Sequence, residues 1–132
     1  MPARYRLRAV VNWLTLGTPL GLLVARLAGC RTRSWNHGLY VATGYGLPLP
    51  KAAAFTLGSV ILLRDERSMA RTALLRHEER HATQWALCLG VLGFPLLYSA
   101  ASLWSLIIAR DTFSHNPFER WAGLEDGGYR KR

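Results

Sequence analysis

Residues 69–95 read MARTALLRHEERHATQWALCLGVLGFP, and this stretch decides the architecture. Ala70, Leu74, His77, His81, Trp85 and Cys88 recur at spacings of three and four, which places them on one stripe of a helix. Arg76, Glu79, Arg80 and Thr83 fall on the opposite side. The spacing predicts a helix from Met69 towards Gly90, with Ser68 as its N-cap. Two histidines therefore sit on an inward face, one helical turn apart, with charges on either side pointing out.

Downstream, Ala86 to Ala109 is a run of 24 uncharged residues, long enough on hydropathy for a transmembrane helix. Gly90, Gly93 and Pro95 interrupt it within six positions, where a helix kinks or stops. The expectation is a break there and a second helix, about residues 96–110, folded back antiparallel to the first. A final helix starts at Asn116-Pro117-Phe118-Glu119, with Asn as N-cap and Pro at the first helical position. Beyond Ala122 the glycines 123, 127 and 128 predict an irregular tail ending in Arg130-Lys131-Arg132.

Upstream, His37 to Ala42 reads as a short strand, followed by a loop rich in Gly and Pro (Gly44, Gly46, Pro48, Pro50). Ala54 to Leu63 reads as one second strand, and the two are expected to pair as a small antiparallel sheet. The expected fold class is α+β and mostly helical, in one domain spanning residues 1–132. Its first 30 residues form an apolar N-terminal helix positioned to contact a membrane.

That N-terminus carries Arg4, Arg6 and Arg8, then 17 uncharged residues from Ala9 to Ala25, then Leu27-Ala28-Gly29-Cys30. The order resembles a lipoprotein export signal, and an exported protein anchored through Cys30 is one expectation. Arg26 interrupts the apolar run, Gly17, Pro19 and Gly21 break it, and Arg31 and Arg33 follow it. These features favour a cytoplasmic protein, peripheral or integral to an inner membrane. Cys30 and Cys88 lie far apart, outside any CxxC, and are read as reduced thiols.

The chain has 17 Lys+Arg against 8 Asp+Glu, a net charge of +9, and is 50% hydrophobic. That combination suits a membrane surface or a membrane protein complex as partner. The arginines are spread along the chain and no nucleic-acid-binding motif accompanies them, so nucleic acid is not the expected partner.

The chemistry lies in His77-Glu78-x-x-His81. Two imidazoles on one helical face can share a divalent metal, with zinc the expected ion, and the intervening Glu78 is placed to take a proton from a water that the metal activates. A catalytic site needs a third protein ligand; Asp111, Glu119, Glu125, Asp126, His115 and His37 are the candidates. A straight helix from His81 to Glu119 would separate them by about 57 Å at ~1.5 Å per residue, whereas the break at 90–95 returns Glu119 to the level of His81.

Taken together, Thr18-Pro19-Leu20-Gly21-Leu22, Ala54 to Ile61, Leu75-Arg76-His77-Glu78-x-x-His81-x-x-Gln84, Pro95-x-x-Tyr98, Asn116-Pro117-Phe118-Glu119 and Gly123-Leu124-x-Asp126-Gly127-Gly128-Tyr129 span nearly the whole chain. In this combination the sequence resembles a group of small, uncharacterised bacterial proteins with a reduced zincin-like core. The resemblance implies His77, His81 and Glu119 as metal ligands and Glu78 as general base. It also implies that the strand from Phe55 to Ile61 borders the cleft, where an extended peptide substrate adds to its edge. Glutamate-ligand zinc peptidases commonly carry an acidic residue four positions after the third ligand. Here that position is Gly123, leaving Asp126 as a substitute to orient a histidine. The expected functions are a membrane-associated zinc metallopeptidase or, alternatively, a non-enzymatic accessory subunit of a membrane complex that keeps a structural metal.

Overall fold

In the computed structural model, which describes residues 1–129, the fold is α+β. Its centre is the run Val60-Ile61-Leu62-Leu63, in which every residue is fully buried. An unbroken apolar strand of this kind has no solvent face, so it must be covered on both sides. Ile61 and Leu63 pack with Leu74, Leu75 and Ala82 of the third helix on one face, while Val60 and Leu62 pack with Ala25 of the second helix on the other.

The strands are β1 (Arg31–Ser34), β2 (Tyr40–Thr43), β3 (Ala54–Leu57) and β4 (Val60–Leu63), in the order β1-β2-β4-β3. The expected single strand over 54–63 is therefore a hairpin. Gly58, at φ +60°, and Ser59 turn it back, and Leu57 pairs with Val60. The sheet is mixed rather than antiparallel: β2 runs parallel to β4, with antiparallel strands at both edges. The first expected strand also starts later, because His37 sits in a short 3-10 turn at positive φ. β1, all of it solvent-exposed, adds a strand to the expected sheet; Arg-Thr-Arg-Ser has no apolar alternation to reveal it.

The helices are α1 (Ala3–Leu14), α2 (Gly17–Leu27), α3 (Thr72–Leu87), α4 (Phe94–Ala109) and α5 (Pro117–Ala122). The N-terminal apolar segment is thus two helices meeting at 70°. No single helix among the described residues is long and apolar enough to cross a membrane. α3 begins later than expected: Ser68 lies buried inside a 3-10 turn capped by Asp65, rather than at the helix start. α4 begins after the predicted break and turns back towards His81 in the antiparallel sense, but the pairing with α3 is short. Only its first turns reach α3, through Phe94 against Trp85 and Tyr98 against His81; farther on, Ser102 and Ser105 bond to the segment leading into α5. The basic end of the chain, residues 130–132, lies outside the described residues.

α1 is tied across α3 and the hairpin by polar groups the sequence did not single out. Buried Arg8 pairs with Glu79 at 2.9 Å and donates to the His37 carbonyl, and buried Asn12 donates to Ser59 Oγ and the Ala82 carbonyl. α2 sits directly on the hairpin turn because Gly17 and Gly58 meet backbone to backbone. A Cβ on Gly58 would stand 2.2 Å from Gly17 C and Thr18 N.

This contact separates two glycine substitutions. Gly58→Ala meets both the positive φ and the collision, and should cost roughly 3 kcal/mol. Gly29→Ala, at φ +72° with open space around it, should cost only about 1 kcal/mol. Denaturant unfolding of both variants measures this, and equal losses would show that the α2–hairpin contact does not carry the fold.

Candidate metal centre

His77 and His81 project from the buried face of α3, and α5 brings Glu119 against them. Asn116 caps α5 by accepting from the Phe118 N–H at 3.0 Å, with Pro117 at its first position. The Glu119 side chain is therefore not spent on its own helix end. Its Oε1 lies 3.0 Å from His77 Nε2 and 2.9 Å from His81 Nε2, and the two Nε2 atoms are 3.1 Å apart. His77, His81 and Glu119 thus form a buried group able to hold a metal ion, and no other such group occurs among the described residues.

The outer hydrogen bonds decide what the inner atoms are. His77 Nδ1 faces the Gly123 carbonyl at 2.8 Å, which can only accept, so Nδ1 carries the proton. His81 Nδ1 faces Gln84 Oε1 at 2.8 Å; the Gln84 amide nitrogen donates to the Phe118 carbonyl, fixing Oε1 as the acceptor. With no further proton on either ring, the two Nε2 lone pairs point bare at each other and at a carboxylate oxygen. Three acceptors about 3 Å apart in a buried site repel unless a cation or added protons stand among them. The residues fit a metal on this ground, independent of any motif.

Each ligand is fixed from behind. Tyr98 donates its hydroxyl to Glu119 Oε2, leaving Oε1 to the histidines. Gly127 lies flat against the His77 ring, since a Cβ there would stand 2.5 Å from Cε1. Burial raises the Glu119 pKa, but bonds from His77 and His81 outweigh it and hold the carboxyl well below the usual range. Burial lowers the His81 pKa, yet the bond and charge of Glu119 leave it raised. Burial and the Glu119 charge push the Tyr98 phenol up, so it stays a donor.

Glu78 is not part of the metal group. Its Oε2 accepts from Thr56 Oγ1 at 2.7 Å, and Trp85 Nε1 fixes Thr56 by donating to its carbonyl at 2.9 Å. Burial pushes the Glu78 carboxyl above the ordinary carboxylate range, against the opposing pull of His81 and Thr56. Glu78, His81, Glu119, Tyr98 and Tyr129 share a cavity of about 480 Å³ whose remaining walls are mostly apolar.

Of the other ligand candidates, His37 stacks on Tyr5 and bonds Glu79. Asp111 caps the turn at 113–114, and His115 accompanies Ser114. Glu125 and Asp126 also stand outside the group. Asp126 does not orient His77: it pairs with Arg80 at 3.1 Å, and the Gly123 carbonyl takes that part. Gln84, Tyr98 and Thr56 hold the site's side chains in place, roles that no sequence motif assigns them. Gln84, three residues after His81 and so on the same face, carried a signal; Tyr98 needed the path of α4.

Comparison with protein-family models, curated proteins and solved structures finds no match to the chain.

The supports around the ligands yield graded expectations. Tyr98→Phe removes one bond to Glu119 and should weaken divalent-metal binding about tenfold. Gly127→Ala drives a methyl group into the His77 ring and should weaken it further. Competition against a metal-sensitive chelator reads both, and wild-type affinity in the two variants would show that neither support matters.

Proposed function

We propose that the protein is a zinc-dependent hydrolase that cleaves peptide bonds at a membrane surface. One observation carries the reading: Glu78 lies in the same cleft as the His77–His81–Glu119 group but outside it, with its carboxyl held by Thr56. A metal that only braces two helices has no use for a buried, separate carboxylate at its open side.

Zinc suits two imidazoles and one carboxylate, the donor set of hydrolytic sites with a fourth position open to substrate. It supplies Lewis acidity when bound. The chain's own groups do the rest. Glu78, with its raised pKa, takes a proton from the attacking water and returns it to the leaving amine. Thr56 aims that carboxylate, and the apolar walls limit access of bulk water.

The peptide reading rests on β3, which edges the sheet and lines the cleft. The pairing surface is shorter than the stretch from Phe55 to Ile61, because the chain turns at Gly58. With Leu57 and Phe55 bonded to β4, Ala54 and Thr56 face outward. Trp85 occupies the Thr56 carbonyl, so a peptide would pair chiefly around Ala54 and place apolar side chains beside Phe55, Leu57 and Phe94. A second reading, an accessory subunit of a membrane complex with a structural metal, is favoured by one feature: α4 leaves much of its apolar surface uncovered.

Glu78→Gln separates the two. The variant should bind one equivalent of zinc as the wild type does and lose about 10²–10⁴-fold in kcat on fluorogenic peptides with apolar flanks. Undiminished cleavage by zinc-loaded Glu78→Gln overturns the proposed chemistry.

A further inference from the structure

The largest unexplained feature is a leucine-rich end. Leu14 and Leu16 form the corner between α1 and α2; Leu87, Leu89 and Leu92 form the corner between α3 and α4, with Leu96 following. All six are exposed, Leu14 by 77% and Leu92 by 76%. The corners touch: the Val91 N–H donates to the Thr15 carbonyl at 3.2 Å, and Gly90 lies so close to Thr15 that a Cβ would stand 2.2 Å from its Oγ1. Leu16 and Leu89, one at each corner, hold positive φ, where glycine or asparagine is the usual residue. An exposed leucine in that conformation adds nothing to the core and avoids no strain, so the fold does not account for its being there.

The charges are arranged around this end in a pattern. No charged residue occurs between Arg8 and Arg26 or between His81 and Arg110, and the two corners lie inside these intervals. The first exposed cations met along the helices are Arg26 of α2, Arg110 after α4, Arg6 back along α1 and Arg76 back along α3. Arg6, Arg26 and Arg76 stand about 12–17 Å along their helices from Leu14, Leu16 and Leu87, close to the thickness of one leaflet's hydrocarbon. A protein partner would demand a polar rim with specific bonds at this distance, whereas apolar tips backed by spaced arginines match a lipid leaflet with anionic headgroups.

We infer that the paired corners dock into one leaflet of an anionic bilayer. The consequence for the cleft follows from shared walls. Leu20, one turn into α2, and Phe94, Pro95 and Ser99, in the first turns of α4, line the metal-side cavity. The cleft therefore opens beside the embedded corners and accepts an apolar chain at the lipid surface. This last step rests on the hydrolase reading; the docking itself does not.

The test is flotation of the purified full chain with phosphatidylcholine vesicles, with and without phosphatidylglycerol, together with the fluorescence of exposed Trp104 and Trp13. Wild type should float with the anionic vesicles and shift its emission to the blue, and Leu14→Glu/Leu92→Glu should lose about tenfold or more in partitioning. His77→Ala, if folded, and Glu78→Gln should float like wild type, so a failed metal or hydrolase reading leaves this result untouched. A wild-type far-ultraviolet circular dichroism spectrum and an unchanged denaturant midpoint show that Leu14→Glu/Leu92→Glu is folded. Wild type remaining in solution overturns the proposal. So does loss of a lipid-independent dimer in Leu14→Glu/Leu92→Glu with no change in flotation, which would assign the leucines to a second copy of the chain.

Discussion

Three acceptor atoms are held about 3 Å apart where water is scarce, and much of the structure exists to keep them there. Left alone, two unprotonated imidazole nitrogens and a carboxylate oxygen would rotate apart or take up protons. Here each is locked by a bond on its far side: Gly123 and Gln84 for the imidazoles, Tyr98 for the carboxylate. The site is preorganised for positive charge before any ion arrives, so a metal's binding energy is not consumed in gathering its ligands.

This constraint reaches into the rest of the fold. Gln84 can orient His81 only while its amide nitrogen holds the Phe118 carbonyl, so the same side chain ties α3 to α5. Thr56 can hold Glu78 only while Trp85 pins the strand beneath it. Gly17 and Gly21 let α2 settle onto the hairpin, where a Cβ on Gly21 would stand 2.6 Å from the Leu57 carbonyl, and this closes the face of the sheet away from α3. A small domain can thus support a buried polar site because few side chains serve one purpose only.

The helical stripe, the break at 90–95 and the Asn-Pro start of α5 were legible in the sequence because each is a local signal. Periodicity, backbone-breaking residues and capping act within a few positions. What the sequence left open was tertiary. The stretch over 54–63 shows one β-rich composition, and only Gly58 at positive φ turns it into a hairpin; parallel pairing of β2 with β4 then follows from a path no local pattern encodes. The extent of the α3–α4 pairing was hidden for a related reason. A break says where a helix ends, not how far the next one packs against it, and beyond Tyr98 the side chains of α4 bond the segment leading into α5. At the site, a missing acidic residue at Gly123 looked like a gap. A carbonyl of the backbone fills it, and main-chain groups carry no sequence signature.

The polarity of the domain is divided in an unusual way. Arginine, asparagine, glutamine, histidines and glutamates are buried, while leucines and tryptophans lie exposed along α4 and at the two corners. The buried polar groups nearly all find partners; only Arg8 Nε and Asn12 Oδ1 lack one among the described residues. Apart from the acceptor atoms that His77, His81 and Glu119 turn towards one another, the interior is therefore accounted for by its own hydrogen bonds. The exposed apolar groups have no such internal account, since water gains nothing by contact with them and they cover no core. On the proposed docking, the aqueous side of the molecule keeps the buried His77, His81 and Glu119 group rigid and the leucine-rich side is solvated by lipid. The cleft lies where those two regions meet.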